Sequence, residues 1–210
     1  MNYLAKGIEK VVSSLRKPAL AGIAALAVSC AHTNAYAPGS YDKDGDGKTD
    51  YTVELIDPAD ESKGIIYKQF EDGKLMHQVW DRNTDGKAES QCVMEYDGKG
   101  NRTKELWDDN GDGDASRVYF WGYDAESKLI FRAHDENADG KPDIAWWWSY
   151  QEDGKLQSEV TDTDGDGVPN VVRGWLYSPD GEDYLEILDE DADGRPDKMR
   201  DGEGDWVDIK

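Results

Sequence analysis

Cysteine is nearly missing from this chain of 210 residues, where Cys30 and Cys92 are the only two. At most one pair can form, so a disulfide framework is excluded as the source of stability, and Cys92 reads as a small apolar strand residue. Histidine is almost as scarce: His32, His77 and His134 stand apart, with no HExxH pair, and no G-x-S-x-G elbow occurs. The chain thus lacks the sequence marks of metal-dependent and serine hydrolases and reads as a non-enzyme. Basic residues are few, 24 against 46 acids, and the formal charge of -22 excludes nucleic acid as a partner. Long apolar runs are also missing, the fullest being the eleven residues from Ala19 to Ser29, too short for a stable membrane span. No helical period of useful length follows residue 30. Disorder is excluded in turn, because eight tryptophans and eleven tyrosines recur in a regular pattern.

What the chain does contain begins with an export signal over residues 1–29. Lys6, Lys10, Arg16 and Lys17, with Glu9 the one acid among them, precede the apolar run. Its end, LAVSC, resembles the lipobox of bacterial lipoproteins, and that resemblance implies that Cys30 becomes the lipidated first residue of an envelope protein held at the membrane. A second cleavage position follows Ala35–Ala37 and would give a plainly secreted chain. Residues 30–40 then form a linker, and residues 41–210 form the main domain.

That domain is built on an acidic nine-residue frame. DKDGDGKTD offers Asp42, Asp44, Asp46 and Asp50, and DRNTDGKAE offers Asp81, Asn83, Asp85 and Glu89. DDNGDGDAS offers Asp108, Asn110 and Asp112, and DENADGKPD offers Asp135, Asn137, Asp139 and Asp143. DTDGDGVPN offers Asp162, Asp164, Asp166 and Asn170, and DEDADGRPD offers Asp189, Asp191, Asp193 and Asp197. From Asp81 onward the frames recur every 27 residues, whereas the first step, Asp42 to Asp81, is 39, so the first unit carries an insertion of twelve. A fixed period marks a repeat architecture.

The frame suits calcium, which takes six to eight oxygens from alternating side chains of a tight loop, a carbonyl and water. Glycine at step 6, as at Gly47 or Gly140, permits the sharp turn. Magnesium keeps more of its water, and zinc lacks nearby imidazole or thiolate. An EF-hand is excluded because step 12 holds Val53, Cys92, Tyr119, Trp146, Arg173 and Arg200, none of them glutamate. Charge count predicts that the loops at Asp42 and Asp189, with acids at steps 1, 3, 5 and 9, bind best. The D-x-D/N-x-D-G-x-x-D spacing resembles the calcium loops of FG-GAP repeats and of thrombospondin type 3 repeats, which implies calcium at the matching positions. The DGKL turns are similar to those of MORN-type single-layer sheets.

Between the acidic loops lie pairs of short β-branched and aromatic runs joined by Asp-Gly turns, such as IAWWWSY and LQSEV around QEDGK. The expected fold is all-β, an antiparallel up-and-down meander of two-strand repeats after an N-terminal signal helix. Acidic loops are expected on one edge and hairpins on the other. The insertion near Pro58 predicts an extra hairpin between Tyr51 and Phe70, and the tail GEGDWVDIK a cap. Val79, Leu106, Ala133, Val160 and Ile187 form an apolar column, and the neighbouring Gln78, Glu105, Arg132, Glu159 and Glu186 a column expected to be wet. Two functions follow as expectations: a calcium-stiffened structural or adhesive module at the cell surface, with a protein or glycan partner, or a carbohydrate-binding module stacking sugars on Trp80, Trp107, Trp121, Trp146, Trp148 and Trp175.

Overall fold

The computed structural model describes residues 37–60, 63–202 and 204–209. The signal segment, Cys30 and the start of the linker lie outside the described residues. The strands are β1 (Gly39–Tyr41), β2 (Tyr51–Leu55), β3 (Ile65–Glu71), β4 (Lys74–Asp81), β5 (Ser90–Tyr96), β6 (Arg102–Asp108) and β7 (Arg117–Tyr123). They continue as β8 (Leu129–Asp135), β9 (Ile144–Tyr150), β10 (Leu156–Asp162), β11 (Val171–Tyr177), β12 (Tyr184–Asp189), β13 (Lys198–Asp201) and β14 (Val207–Asp208). They follow one another in sequence order as a single 14-stranded antiparallel meander, the all-β architecture that the turn spacing predicts. The chain divides into two compact units, one holding the described residues up to Tyr119 with Glu136–Gly140, the other Phe120–Asp135 with Lys141 onward.

In the first unit the insertion gives the expected hairpin, β2 pairing β3 from Tyr51 opposite Gln69 to Leu55 opposite Ile65, and raises the strand count there by one. Three strands, β2 to β4, run between the Asp42 and Asp81 loops, where two run between the Asp81 and Asp108 loops. An odd number reverses the direction of travel. The Asp42 loop therefore stands on the hairpin edge, and Lys48 Nζ donates to Asp72 Oδ1 of the β3–β4 hairpin at 2.9 Å. The turn between β2 and β3 takes the vacated acidic edge instead, so close that a Cβ on Gly64 would come 2.2 Å from the Asp81 carbonyl oxygen. Register places Val53, Ile65, Val79, His77, Gln91, Leu106, Asp81 and Asp108 on one face of this unit. The other face carries Trp80, Cys92, Met94, Glu105 and Trp107. Cys92 is fully buried as expected, and burial pushes its thiol up to about 12, so it is inert.

In the second unit one face gathers Phe131, Ala133, Ala145, Trp147, Val160, Val172 and Ile187. The opposite face holds Arg132, Trp146, Trp148, Glu159, Trp175 and Glu186. The second column, expected to be wet, is in part buried: Glu105 in the first unit is 9% exposed and Glu186 in the second 3%. Both carboxylates are matched there, Glu105 by Arg102 and Glu186 by the Arg200 guanidinium at 2.7 Å. Trp148 Nε1 adds a hydrogen bond to Glu159 at 2.8 Å. The tail contributes β14 against β13, with Trp206 covering the Arg200 guanidinium at 4.6 Å.

Hairpin chemistry explains the other edge. Asp72 and Gly73 both take positive φ, the two-residue turn whose twist suits paired strands. In longer turns one residue is left-handed, Gly100, Ser127, Gly154 or Gly181. Lysines then clasp successive hairpins. Lys128 lies 4.3 Å from the Tyr150 ring and donates to the Gly154 carbonyl at 2.7 Å, and Lys155 repeats this on Tyr177 and Gly181.

Candidate metal-binding loops

Each acidic loop is first a knot of backbone hydrogen bonds. The amide at step 9 donates to the carbonyl just before step 1, as from Asp50 to Tyr41 at 2.9 Å, Glu89 to Trp80 at 3.0 Å and Asp197 to Leu188 at 2.8 Å. The step 9 side chain accepts the step 2 amide in return, as Asp50 does from Lys43 at 2.6 Å and Asp197 from Glu190 at 2.8 Å. Neutral oxygens serve equally, Ser116 accepting from Asp109 and Asn170 from Thr163, which explains their presence where an acid is otherwise found. The step 1 carboxylate accepts the step 6 glycine amide, at 2.8 Å from Gly47 to Asp42, Gly167 to Asp162 and Gly194 to Asp189.

Two residues per loop turn left-handed. The glycines at step 6 do so as their position requires, from φ 83° at Gly86 to 91° at Gly113. Step 4 does so as well, at Gly45, Thr84, Gly111, Ala138, Gly165 and Ala192, which the sequence reading missed. The signal available was the small residue at nearly every step 4. It bears on stacking, because a Cβ on Gly111 would come 1.9 Å from the Ala88 carbonyl oxygen of the preceding loop.

Within this frame the acids converge. Asp42, Asp44 and Asp50 form one trio, Asp81, Asp85 and Glu89 a second, Asp162, Asp164 and Asp166 a third, and Asp189, Asp191 and Asp197 a fourth. In each, one oxygen per residue lies within 4.8 Å of the others. At that spacing each pair of charges repels by about 1 kcal/mol in water and about 3–4 kcal/mol at an effective dielectric of 20. The donor sets are all oxygen, which fits a hard cation and not zinc. The remaining predicted ligands sit beside these groups. Asp46 pairs with Lys48 at 3.7 Å, Asp193 accepts the Arg195 amide, and Asn83 donates to Asp85 at 3.3 Å. The Asp108 loop is not among the four; Asn110 there donates to Asp112 at 3.0 Å. Of the loop from Asp135 to Asp143, Asp135 and Asp143 belong to the second unit and Asn137 and Asp139 to the first. The Asp139 amide donates to Asn137 Oδ1 at 2.9 Å, and the Asp143 amide to the His134 carbonyl at 2.7 Å.

Burial separates the loops. Asp42 is exposed, whereas Asp81 is 6%, Asp108 0% and Asp162 2% exposed. Asp81 Oδ2 accepts the Gly86 amide at 2.9 Å, whereas its buried Oδ1 lacks a well-formed hydrogen bond, the Thr84 amide contributing only weakly to the carboxylate. Burial holds this carboxyl above the usual range, the Glu89 and Asp85 charges adding to it and the Gly86 and Thr84 amides opposing it only in part. Asp108 differs. Gln91 Nε2 donates to its Oδ2 at 2.9 Å, and Gln91 Oε1 meets His77 Nε2 at 3.0 Å. A carboxylate only accepts, so the Gln91 amide nitrogen faces Asp108, its oxygen faces His77, and His77 carries its proton on Nε2.

Trp80, Trp107 and Trp146 are engaged by the sheet's own groups. Trp80 and Trp107 stack at 5.5 Å, Arg117 covers Trp107 at 4.9 Å, and Arg132 and His134 pack on Trp146 at 5.6 and 5.0 Å.

No protein-family model matches the chain, and no curated protein matches it. Among solved structures it is similar to a chain of the Tc holotoxin pore of Photorhabdus luminescens, with 12% identity over 73% of this chain and 9% of that one and a TM-score of 0.28. At that TM-score the likeness bears on neither fold nor function.

Proposed function

We propose that this chain is a calcium-binding β-repeat protein of the cell envelope, a structural or adhesive module whose acidic corners are held by Ca2+. The observation that carries the reading is the convergence of three carboxylates within 4.8 Å in four separate loops. Asp42, Asp44 and Asp50, Asp81, Asp85 and Glu89, Asp162, Asp164 and Asp166, and Asp189, Asp191 and Asp197 would hold the ions. A bound cation offsets the repulsion among them and ties the loop to the strands it joins. The basic and apolar N-terminus supports export, and LAVSC supports a lipid anchor on Cys30. A partner, protein or glycan, would be met at the cell surface. The engaged state of Trp107 and Trp146 favours the structural reading over sugar stacking.

Linkage sets the expected size. A site of about 0.1 mM affinity in about 1 mM calcium stabilises the fold by about 1.4 kcal/mol, so four sites give about 6 kcal/mol. For a chain of this length that is a shift of about 10–20 °C in melting temperature. Circular dichroism melting in 1 mM calcium and in chelator, beside equilibrium dialysis, tests it. Bound calcium with a large shift is the expected result; no bound calcium and equal melting temperatures would overturn the reading.

A further inference from the structure

Neighbouring corners of the first unit meet the same electrostatic problem with different chemistry. Asp81 and Asp108 occupy step 1 of successive loops, both buried, at 6% and 0% exposure. Asp81 leaves Oδ1 without a well-formed hydrogen bond beside Asp85 and Glu89, the Thr84 amide helping only weakly. Asp108 leaves nothing unpaired: Oδ1 accepts the Asn110 and Gly111 amides at 3.2 and 2.7 Å, and Oδ2 accepts the Gly113 amide and Gln91 Nε2, each at 2.9 Å.

Register shows why the Asp81, Asp162 and Asp189 corners lack this donor. The residue directly across the ladder from step 1 is Gln91 for Asp108, but Ile65 for Asp81, Ala145 for Asp162 and Val172 for Asp189. Those three have no side-chain donor. His77, which fixes the orientation of Gln91, is also peculiar to this repeat, since one, two, three and four periods later the chain has Lys104, Phe131, Ser158 and Leu185. The Asp108 loop has in parallel lost acids, with Asn110 at step 3 and Ser116 at step 9.

We propose that the Asp108 corner is metal-independent, its buried carboxylate held by the Gln91 amide that His77 orients, whereas the Asp81 corner requires a hard divalent cation at Oδ1. This rests on the calcium reading above and assigns the ions among the loops by what lies across the ladder. It differs from a count of charges, which ranks the Asp42 and Asp189 loops first. An exposed trio at Asp42 can shed its repulsion into water, but a buried oxygen without a well-formed hydrogen bond cannot.

The test uses the full chain, stripped with chelator and titrated with calcium by calorimetry, with melting followed in both states. Asp81→Asn is expected to bind one calcium fewer per chain and to melt above the parent in chelator, since the amide removes a buried charge. Asp108→Asn is expected to bind as many ions as the parent. Gln91→Val, which installs the residue present at Val172, is expected to melt lower in chelator and to widen the gap between calcium and chelator by several degrees. If Asp108→Asn does not fold, Gln91→Val still decides, because an unchanged gap overturns the proposal. An unchanged stoichiometry in Asp81→Asn overturns it while leaving the general calcium reading intact. A parent chain that binds no calcium ends both.

Discussion

The histidine beneath the Asp108 corner has a pH signature of its own. Burial holds His77 below its ordinary value, and its hydrogen bond with Gln91 opposes this only in part. A histidine depressed in the folded state favours folding most when neutral. Its contribution is whole above the unfolded value, about 6.5, and is lost as pH falls from there through the folded value. The added proton goes on Nδ1 and leaves the Nε2 bond to Gln91 in place, so the cost of protonation is that of a charged ring buried at 6% exposure. The melting temperature is expected to fall between pH 7.5 and 5.5, and to fall less in His77→Gln, with calcium held constant. Equal losses in both proteins would remove His77 from the account. None of this could be read from the sequence. The repeating acids at steps 1, 3, 5 and 9 were legible because their spacing is local, and each of the four trios draws on three of those steps. Gln91 acts across a strand pair, so its role emerges only once register places it opposite Asp108. In hindsight it is a polar interruption of a column that continues as Val118, Ala145 and Val172.

Strand number and pairing were legible because Asp-Gly turns and period-two runs are strong local signals. The position of the Asp42 loop was not, because parity decides it. One extra strand in the insertion moves that loop to the hairpin edge, where it meets Asp72 through Lys48. The wet column failed for a similar reason: Glu105 and Glu186 acquire arginine partners from other positions, so polarity did not imply exposure. Loop stacking offers a test of how tightly these elements fit. Gly111 has φ 73°, and a Cβ there would lie 1.9 Å from the Ala88 carbonyl oxygen. Gly111→Ala must strain the backbone and push the preceding loop away, at a cost of about 2–4 kcal/mol. Gly113→Ala, also left-handed at φ 91° but with open space around it, should cost only about 1 kcal/mol. Urea unfolding in calcium compares the two; equal midpoints would mean that the loops do not stack by backbone contact.

Across the whole chain, a formal charge of -22 raises a simpler possibility, that calcium merely screens. Distance separates the two effects. At about 0.1 M salt the Debye length is about 10 Å, so sodium chloride suppresses repulsion between charges well apart. Within a trio the oxygens lie inside 4.8 Å, where that screening is weak and only a shared ion offsets the repulsion. In chelator, raising sodium chloride from about 20 to 200 mM is expected to raise the melting temperature modestly, as long-range repulsion fades. Adding about 1 mM calcium at the higher salt changes ionic strength by only a few millimolar, yet should raise it by about 10 °C or more. Magnesium at the same concentration should achieve less, because an irregular all-oxygen loop does not meet its demand for near-octahedral ligands. If the calcium increment disappears at 200 mM sodium chloride, or if magnesium matches it, the ions are diffuse counterions and the acidic corners are not coordination sites.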